Sequence, residues 1–376
     1  MTPDAPVSPA DASGPSLRDP HLYVLLLYGV SVGCALVISA GLVAVTGNAW
    51  GSVAGALVDG AFLAPGRWGE TLAVATPILL VALGMVVGVR AGFFNIGQEG
   101  QLLMGALAMA VIGTRLAGSG PLLLVGGLAA GAVAGGLYAG VAALMRFRRG
   151  VPEVISTLLL VFVAFQIVGF AITTDWFLRD LDPTRPSQAV TSAALPDSVR
   201  LPVITVWGNE VTIGFFLALL GAALAAFVLA RTVFGFKLRL LGSNPKVAQQ
   251  AGVSFGRAGA TALFISGAAA GLAGALMLVA GASSARLTAG FSNEIGWQGL
   301  LVALLARNRP LLCIPMAILF AALRTGSGFL AATGVDRTVV DVVQALMVLA
   351  LLVPPAVEFM RDRRRISIAA QATEPA

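Results

Sequence analysis

Asn95, Gln98, Glu99 and Gln101 crowd a short stretch between segments that carry almost no charge. An ionisable group inside a bilayer span costs about 2.5–3.5 kcal/mol on insertion scales, so it marks a solute path, a gate or an internal partner. At about 1.5 Å per helical residue, a regular helix running on from Arg90 would place Glu99 about 13 Å deep. There it would line an aqueous passage, or act as a clamp that caps backbone amides or pairs with Arg90, since a buried polar group needs a partner in either role. Gly92, Gly97 and Gly100 would permit a broken or closely packed helix at this point. A second polar group, Asn293, Glu294, Trp297 and Gln298, lies near the C-terminus. Trp297 is either an interface aromatic or a stacking surface for a planar ligand group. Ser156 and Thr157 follow Glu153, whose charge suits a helix N-terminus.

The chemistry open to these residues is recognition and passage of a polar solute. There is one histidine, His21, and the two cysteines, Cys34 and Cys313, lie far apart in apolar stretches. No disulfide framework, metal site or cofactor is expected from them. No Gly-Lys pair occurs, so the phosphate-cradling GxxxxGK(S/T) loop is absent and ATP energy would have to come from another chain.

The elements that must position these side chains read as membrane spans. Of 376 residues, 57% are hydrophobic and only 11% charged, against about 25% charged in soluble domains, so a lipid bilayer must cover much of the surface. A spanning helix needs about 20 apolar residues. Uncharged runs occur at Leu22–Thr46, Thr71–Val89, Leu116–Met145, Val154–Thr174, Val211–Ala230 and Ala258–Ala285. Gly92–Thr114, Ile295–Ala306, Pro310–Leu323 and Thr338–Val357 are shorter or carry a charge. The fold expected is all-α, with about ten crossings; eight would result if the two short runs formed a re-entrant hairpin.

The net charge of +6 sits in short loops, where it acts as a topology signal and gives no reason to expect nucleic acid. Arg146, Arg148 and Arg149 mark one cytoplasmic loop, residues 231–257 another, and the arginines from 361 to 365 place the C-terminus inside. Segment 175–210 is acid-rich and reads as extracytoplasmic. Residues 1–20 read as a disordered cytoplasmic tail, residues 21–360 as the membrane domain and residues 361–376 as a cytoplasmic tail. The run from Leu22 is too long for a signal peptide and reads as a retained helix.

Ile96-Gly97-Gln98-Glu99-Gly100 is echoed by Ile295-Gly296-Trp297-Gln298-Gly299. In the ten-crossing scheme the two copies enter from opposite sides. That suggests an inverted repeat of crossings 2–5 against 7–10, a common way to build a path around a midplane site.

Within 231–257, Asn244 is a good helix cap, Pro245 fits the first helical position and Gly252 suits the stop. Lys246, Ala248, Gln249 and Ala251 would lie on this short helix, which a partner could push; a plain loop helix is the simpler alternative.

Four stretches together, Arg90–Gln101, Gly150–Thr157, Gly242–Gly252 and Ala303–Pro310, resemble the permeases of bacterial ABC importers of the branched-chain amino acid/ribose class, nearest the nucleoside and simple-sugar branch. The resemblance implies a ten-helix permease of the bacterial plasma membrane. Its partners would be a second permease, an ATP-binding subunit with two nucleotide-binding domains and an extracytoplasmic binding lipoprotein. It makes 244–252 the coupling helix, and nucleoside the first substrate and simple sugar the second. The sequence departs from the pattern at Pro152, where Asn is expected, and at Ala306 and Arg309, where Gly and His are expected. An ion-coupled secondary transporter is the main competing reading, and a membrane-embedded enzyme a weaker one.

Overall fold

The computed structural model describes residues 20–45, 50–181, 190–280 and 285–330, with isolated positions between 342 and 360. Both expected tails and most of the expected crossing Thr338–Val357 lie outside the described residues. The chain divides into two compact units, Met1–Val53 with Val335–Ala376, and Ala54–Gly334. The described part of the first unit is chiefly helix α1 (Pro20–Val45), which has no acid in its first turn and no base in its last, and exposes Val30, Val37 and Val45. Helix α2 (Trp50–Val58) follows, continued by one wide turn over Asp59–Leu63. The sequence reading did not foresee it.

The second unit holds α3 (Arg67–Arg90), α4 (Gln98–Arg115), α5 (Gly120–Arg149) and α6 (Glu153–Thr173), then strands β1 (Val203–Val206) and β2 (Asn209–Thr212). Helices α7 (Ile213–Arg231), α8 (Val233–Ser243), α9 (Pro245–Gln250), α10 (Phe255–Ala280), α11 (Ile295–Leu305) and α12 (Cys313–Leu330) complete it. Among the described residues, six helices are long and apolar enough to cross a membrane. Apolar side chains such as Leu122, Phe162, Leu220 and Phe227 face outward on α5, α6 and α7, as a lipid-covered surface requires. Helix α3 is apolar and largely buried, and packs on α7, α10, α11 and α12. A helix that is hydrophobic all round belongs in the middle of a bundle.

Small residues bring α4, α5 and α10 together. A Cβ on Gly135 would meet the Gly271 backbone at 2.7 Å, and one on Gly131 would meet Ala275 Cβ at 2.6 Å. Such close approach is how helices associate where lipid removes the hydrophobic drive between them.

Several expectations need correction. The fold is mostly helical, and it also carries a small antiparallel hairpin of β1 and β2 with Val206 opposite Asn209. Its two-residue turn, Trp207-Gly208, has φ of 47° and 76°, the mirror-image geometry that suits strand twist. Val211 and Thr212 belong to that hairpin, so the next helix starts only at Ile213. Arg146, Arg148 and Arg149 form the last turn of α5 rather than a loop, before Gly150 stops it at φ 72°; cations are favourable there. Helix α10 spans Phe255–Ala280, and residues 281–284 of the expected run lie outside the described residues. Segment 231–257 carries two helices, not one: Thr232 starts α8 by accepting from the Gly235 amide at 3.1 Å.

Candidate functional site

Arg90 closes α3, and Gly92 turns left-handed at φ 85°. The chain leaves the helix there and resumes one at Gln98. The helix between Arg90 and Glu99 is therefore broken, and the expected depth of 13 Å does not apply. Glu99 lies in the first turn of α4, and only 2% of it is exposed.

Its partners define the centre of the site. Glu99 Oε1 accepts from the Glu294 amide at 3.1 Å, and Oε2 from the Gly296 amide at 2.6 Å. A carboxylate of one polar group thus caps the N-terminus of α11, which opens the other, where helix amides and dipole favour a negative charge. The clamp reading through backbone amides holds. The pairing with Arg90 does not: the guanidinium donates instead to the Asn308 carbonyl, at 3.1 Å from Nε and 3.0 Å from Nη2.

Around Glu99 the amides lock one another. Asn95 Nδ2 donates to Gln101 Oε1 at 2.7 Å, and Gln101 Nε2 returns a bond to Asn95 Oδ1 at 2.8 Å. Asn95 also donates to Ser266 Oγ at 2.9 Å, and Gln98 Nε2 donates to the Val81 carbonyl at 2.9 Å. Ser266 in α10 is the residue the sequence reading missed; its signal was a hydroxyl in the middle of an apolar run. Asn95, Gln98, Glu99 and Gln101 are all at most 2% exposed, so in this conformation they face one another and α3, α10 and α11.

Ser156 and Thr157 are also buried, and their hydroxyls bond back to the Glu153 carbonyl at 3.2 and 2.7 Å. Thr157 lies beside Gly97, where an added Cβ would meet its carbonyl at 2.7 Å. Glu153 pairs with Arg146 at 3.2 Å. In the second group Asn293, Glu294 and Trp297 are exposed, while Gln298 is buried with Oε1 unpartnered among the described residues.

Helix α9 forms as the sequence suggests. Asn244 Oδ1 accepts from the Lys246 and Val247 amides at 3.1 and 3.2 Å, and Gly252 follows at φ 78°. Pro245, Lys246, Gln249, Ala251 and Gly252 are exposed, whereas Ala248 is buried where α9 leans on α8 and α10. Ala248 therefore packs within this chain and does not offer its side chain to a partner.

A family described as "Branched-chain amino acid transport system / permease component" matches residues 68–352. The chain is 32% identical over 341 residues to a guanosine ABC transporter permease protein of Bacillus subtilis, covering 90% of this chain and 94% of that one. It is 33% identical over 310 residues to a glucose ABC transporter permease protein of Haloferax volcanii, covering 80% and 78%. A nucleoside ABC transporter permease protein of Lactococcus lactis is 29% identical over 315 residues, covering 81% and 84%. No solved structure matches.

Proposed function

This chain belongs to the family of permease components described for branched-chain amino acid transport systems, and we propose that it carries nucleosides inward as part of an ATP-driven importer. It is a multi-pass membrane permease of an ABC transporter and not an ATPase; the ATP-binding role lies in a separate partner. The ion-coupled alternative falls away with that membership.

The observation that carries the nucleoside reading is the likeness, over 90% of this chain, to a permease named for guanosine. A simple sugar is the second reading, favoured by the likeness to a permease named for glucose. Uptake of labelled guanosine and glucose in a strain lacking the gene separates them. Nucleoside uptake is expected to fall and to return with the gene on a plasmid. Unchanged nucleoside uptake with reduced glucose uptake would replace the first reading with the second.

The reading includes ten crossings, an inverted repeat, a plasma-membrane location and both termini in the cytoplasm. Two features support the repeat. Helix α3 packs on α11 and α12 much as α10 packs on α4 and α5. The two echoed segments also both begin helices and meet at Glu99. Asn95, Gln98, Glu99, Gln101, Ser156, Thr157, Asn293, Glu294, Trp297 and Gln298 would border the translocation path between these halves, in a conformation that parts the polar side chains packed together in this one. The exposed face of α9, with Lys246 and Gln249, would seat in the ATP-binding subunit. A second permease would complete the pathway, and an extracytoplasmic lipoprotein would deliver the solute to the 175–210 side.

A further inference from the structure

Helix α11 is bounded in an unusual way. The residues before it, Asn293 and Glu294, have φ of 47° and 65°, and those after it, Arg307 and Asn308, have φ of 52° and 54°. Consecutive left-handed residues that are not glycine are disfavoured. They persist where surrounding contacts hold them, and they collect at switches. Here each pair has a holder. Glu99 grips the Glu294 and Gly296 amides, and Arg90 grips the Asn308 carbonyl through two donors. The carboxylate sits at the positive end of the helix dipole and the guanidinium just past its negative end. The two holders flank the single connection between α3 and α4, Arg90 as the last residue of one helix and Glu99 in the first turn of the other.

That connection also touches the arm that ends in α9. Gly92 lies so close to Gly242, at the end of α8, that an added Cβ would meet Gly242 Cα at 3.2 Å. A Cβ on Gly242 would meet the Arg90 carbonyl and, at 3.0 Å, the Gly92 nitrogen. Beside this contact lies a cavity of about 890 Å³ between α8 and the turn after α11, lined by Arg90, Arg239, Arg307, Asn308 and Arg309 among others. The turn therefore has room to move. At about 1.5 Å per residue, α11 is about 16 Å long, roughly half the hydrocarbon thickness.

We propose that α11 is a movable gate helix whose position is set by Arg90 and Glu99 as positioning residues, and that the α8–α9 arm shifts it through the Gly242–Arg90 backbone contact. This rests on the reading of the chain as the permease of an ATP-driven complex. When the arm moves, the Arg90–Gly92 backbone moves with it, the grip on Asn308 loosens and the strained turn relaxes into the adjoining cavity. The capped N-terminus then swings on Glu99.

The test uses the assembled transporter with its ATP-binding subunit. Arg90→Ala is expected to keep ATP hydrolysis while solute uptake falls about tenfold or more, inside the 5–150-fold range of ordinary coupling. Arg90→Lys, with one compact charge in place of two aligned donors, is expected to lie between. Glu99→Gln is expected to lower uptake likewise, with thermal stability of the complex measured alongside to separate uncoupling from misfolding. Spin labels at Trp297→Cys on α11 and Leu159→Cys on α6, with Cys34 and Cys313 replaced by Ala, read the motion directly. The label distance is expected to change on ATP binding by up to about one helical turn, about 5 Å, and in Arg90→Ala to be altered before ATP is added. Normal ATP-driven uptake in Arg90→Ala and Glu99→Gln, or a label distance indifferent to ATP in a transporter that works, overturns the gate. If the unaltered complex shows no ATP-dependent uptake, the importer reading itself fails, and the gate with it.

Discussion

Two helix beginnings built from nearly the same residues behave differently in this molecule. At the start of α4, Gly97 has an ordinary φ of −82° and the neighbouring amides close a buried ring with Ser266. At the start of α11, the chain passes through two left-handed residues, and its amides are satisfied by a carboxylate from the other copy. Where the first copy carries Glu99, the second carries Gln298, whose Oε1 is buried and unpartnered among the described residues. The first copy supplies the carboxylate, and the second supplies the amides that it holds. Near-identical motifs can therefore divide into a holder and a held element.

The division can be broken in graded steps. Glu99→Ala should have the largest effect, leaving the Glu294 and Gly296 amides unpaired and costing about 3 kcal/mol of stability in mild detergent; denaturation of the purified transporter measures it. Gly296→Ala should follow, at about 2 kcal/mol. Its Cβ would meet the Glu99 backbone and carboxylate, a fixed neighbour that cannot yield. Gly97→Ala sharpens the comparison and should cost less, because its nearest obstacle, the Thr157 carbonyl at 2.7 Å, lies farther off than the Glu99 backbone lies from a Cβ on Gly296. Gln298→Leu should have the smallest effect on stability, under about 1 kcal/mol, because it removes an acceptor that has no partner here. If Gln298→Leu destabilised as much as Glu99→Ala, the two copies would be equivalent and the division into holder and held would be wrong.

The helical bundle was legible because charge is so scarce. Each long apolar run became a helix, and the errors lie at the ends, where charged residues belong to the helix itself. Arg67 and Glu70 form the first turn of α3 through their own ion pair, and Arg146–Arg149 the last turn of α5. The hairpin escaped notice because its strands are four residues each and one merges into an apolar run. Asp180, read only as a topology mark, pairs with Arg286, and Ser192 accepts from the Leu287 amide, so both are tied to the segment leading into α11. The candidate site was half legible. Polar residues in apolar surroundings singled out both groups, and the glycines at 92 and 97 allowed for a break. Their joining through Glu99 was offered only as a generic cap, because nothing in one dimension says which amides a carboxylate will find. Arg90 and Asn308 lie 218 positions apart, and no local pattern announces that pairing.

The central claim is that this chain moves its solute only with energy delivered by a separate ATP-binding subunit. Its most direct test is nucleoside uptake into vesicles containing this chain, that subunit and the paired permease, with the solute-binding lipoprotein on the opposite face, with and without ATP at the face that carries α9. The account predicts uptake that requires ATP and is abolished by Lys246→Glu on the exposed side of α9, while the fold survives. Accumulation by this chain alone, driven by a proton gradient without nucleotide, would contradict it.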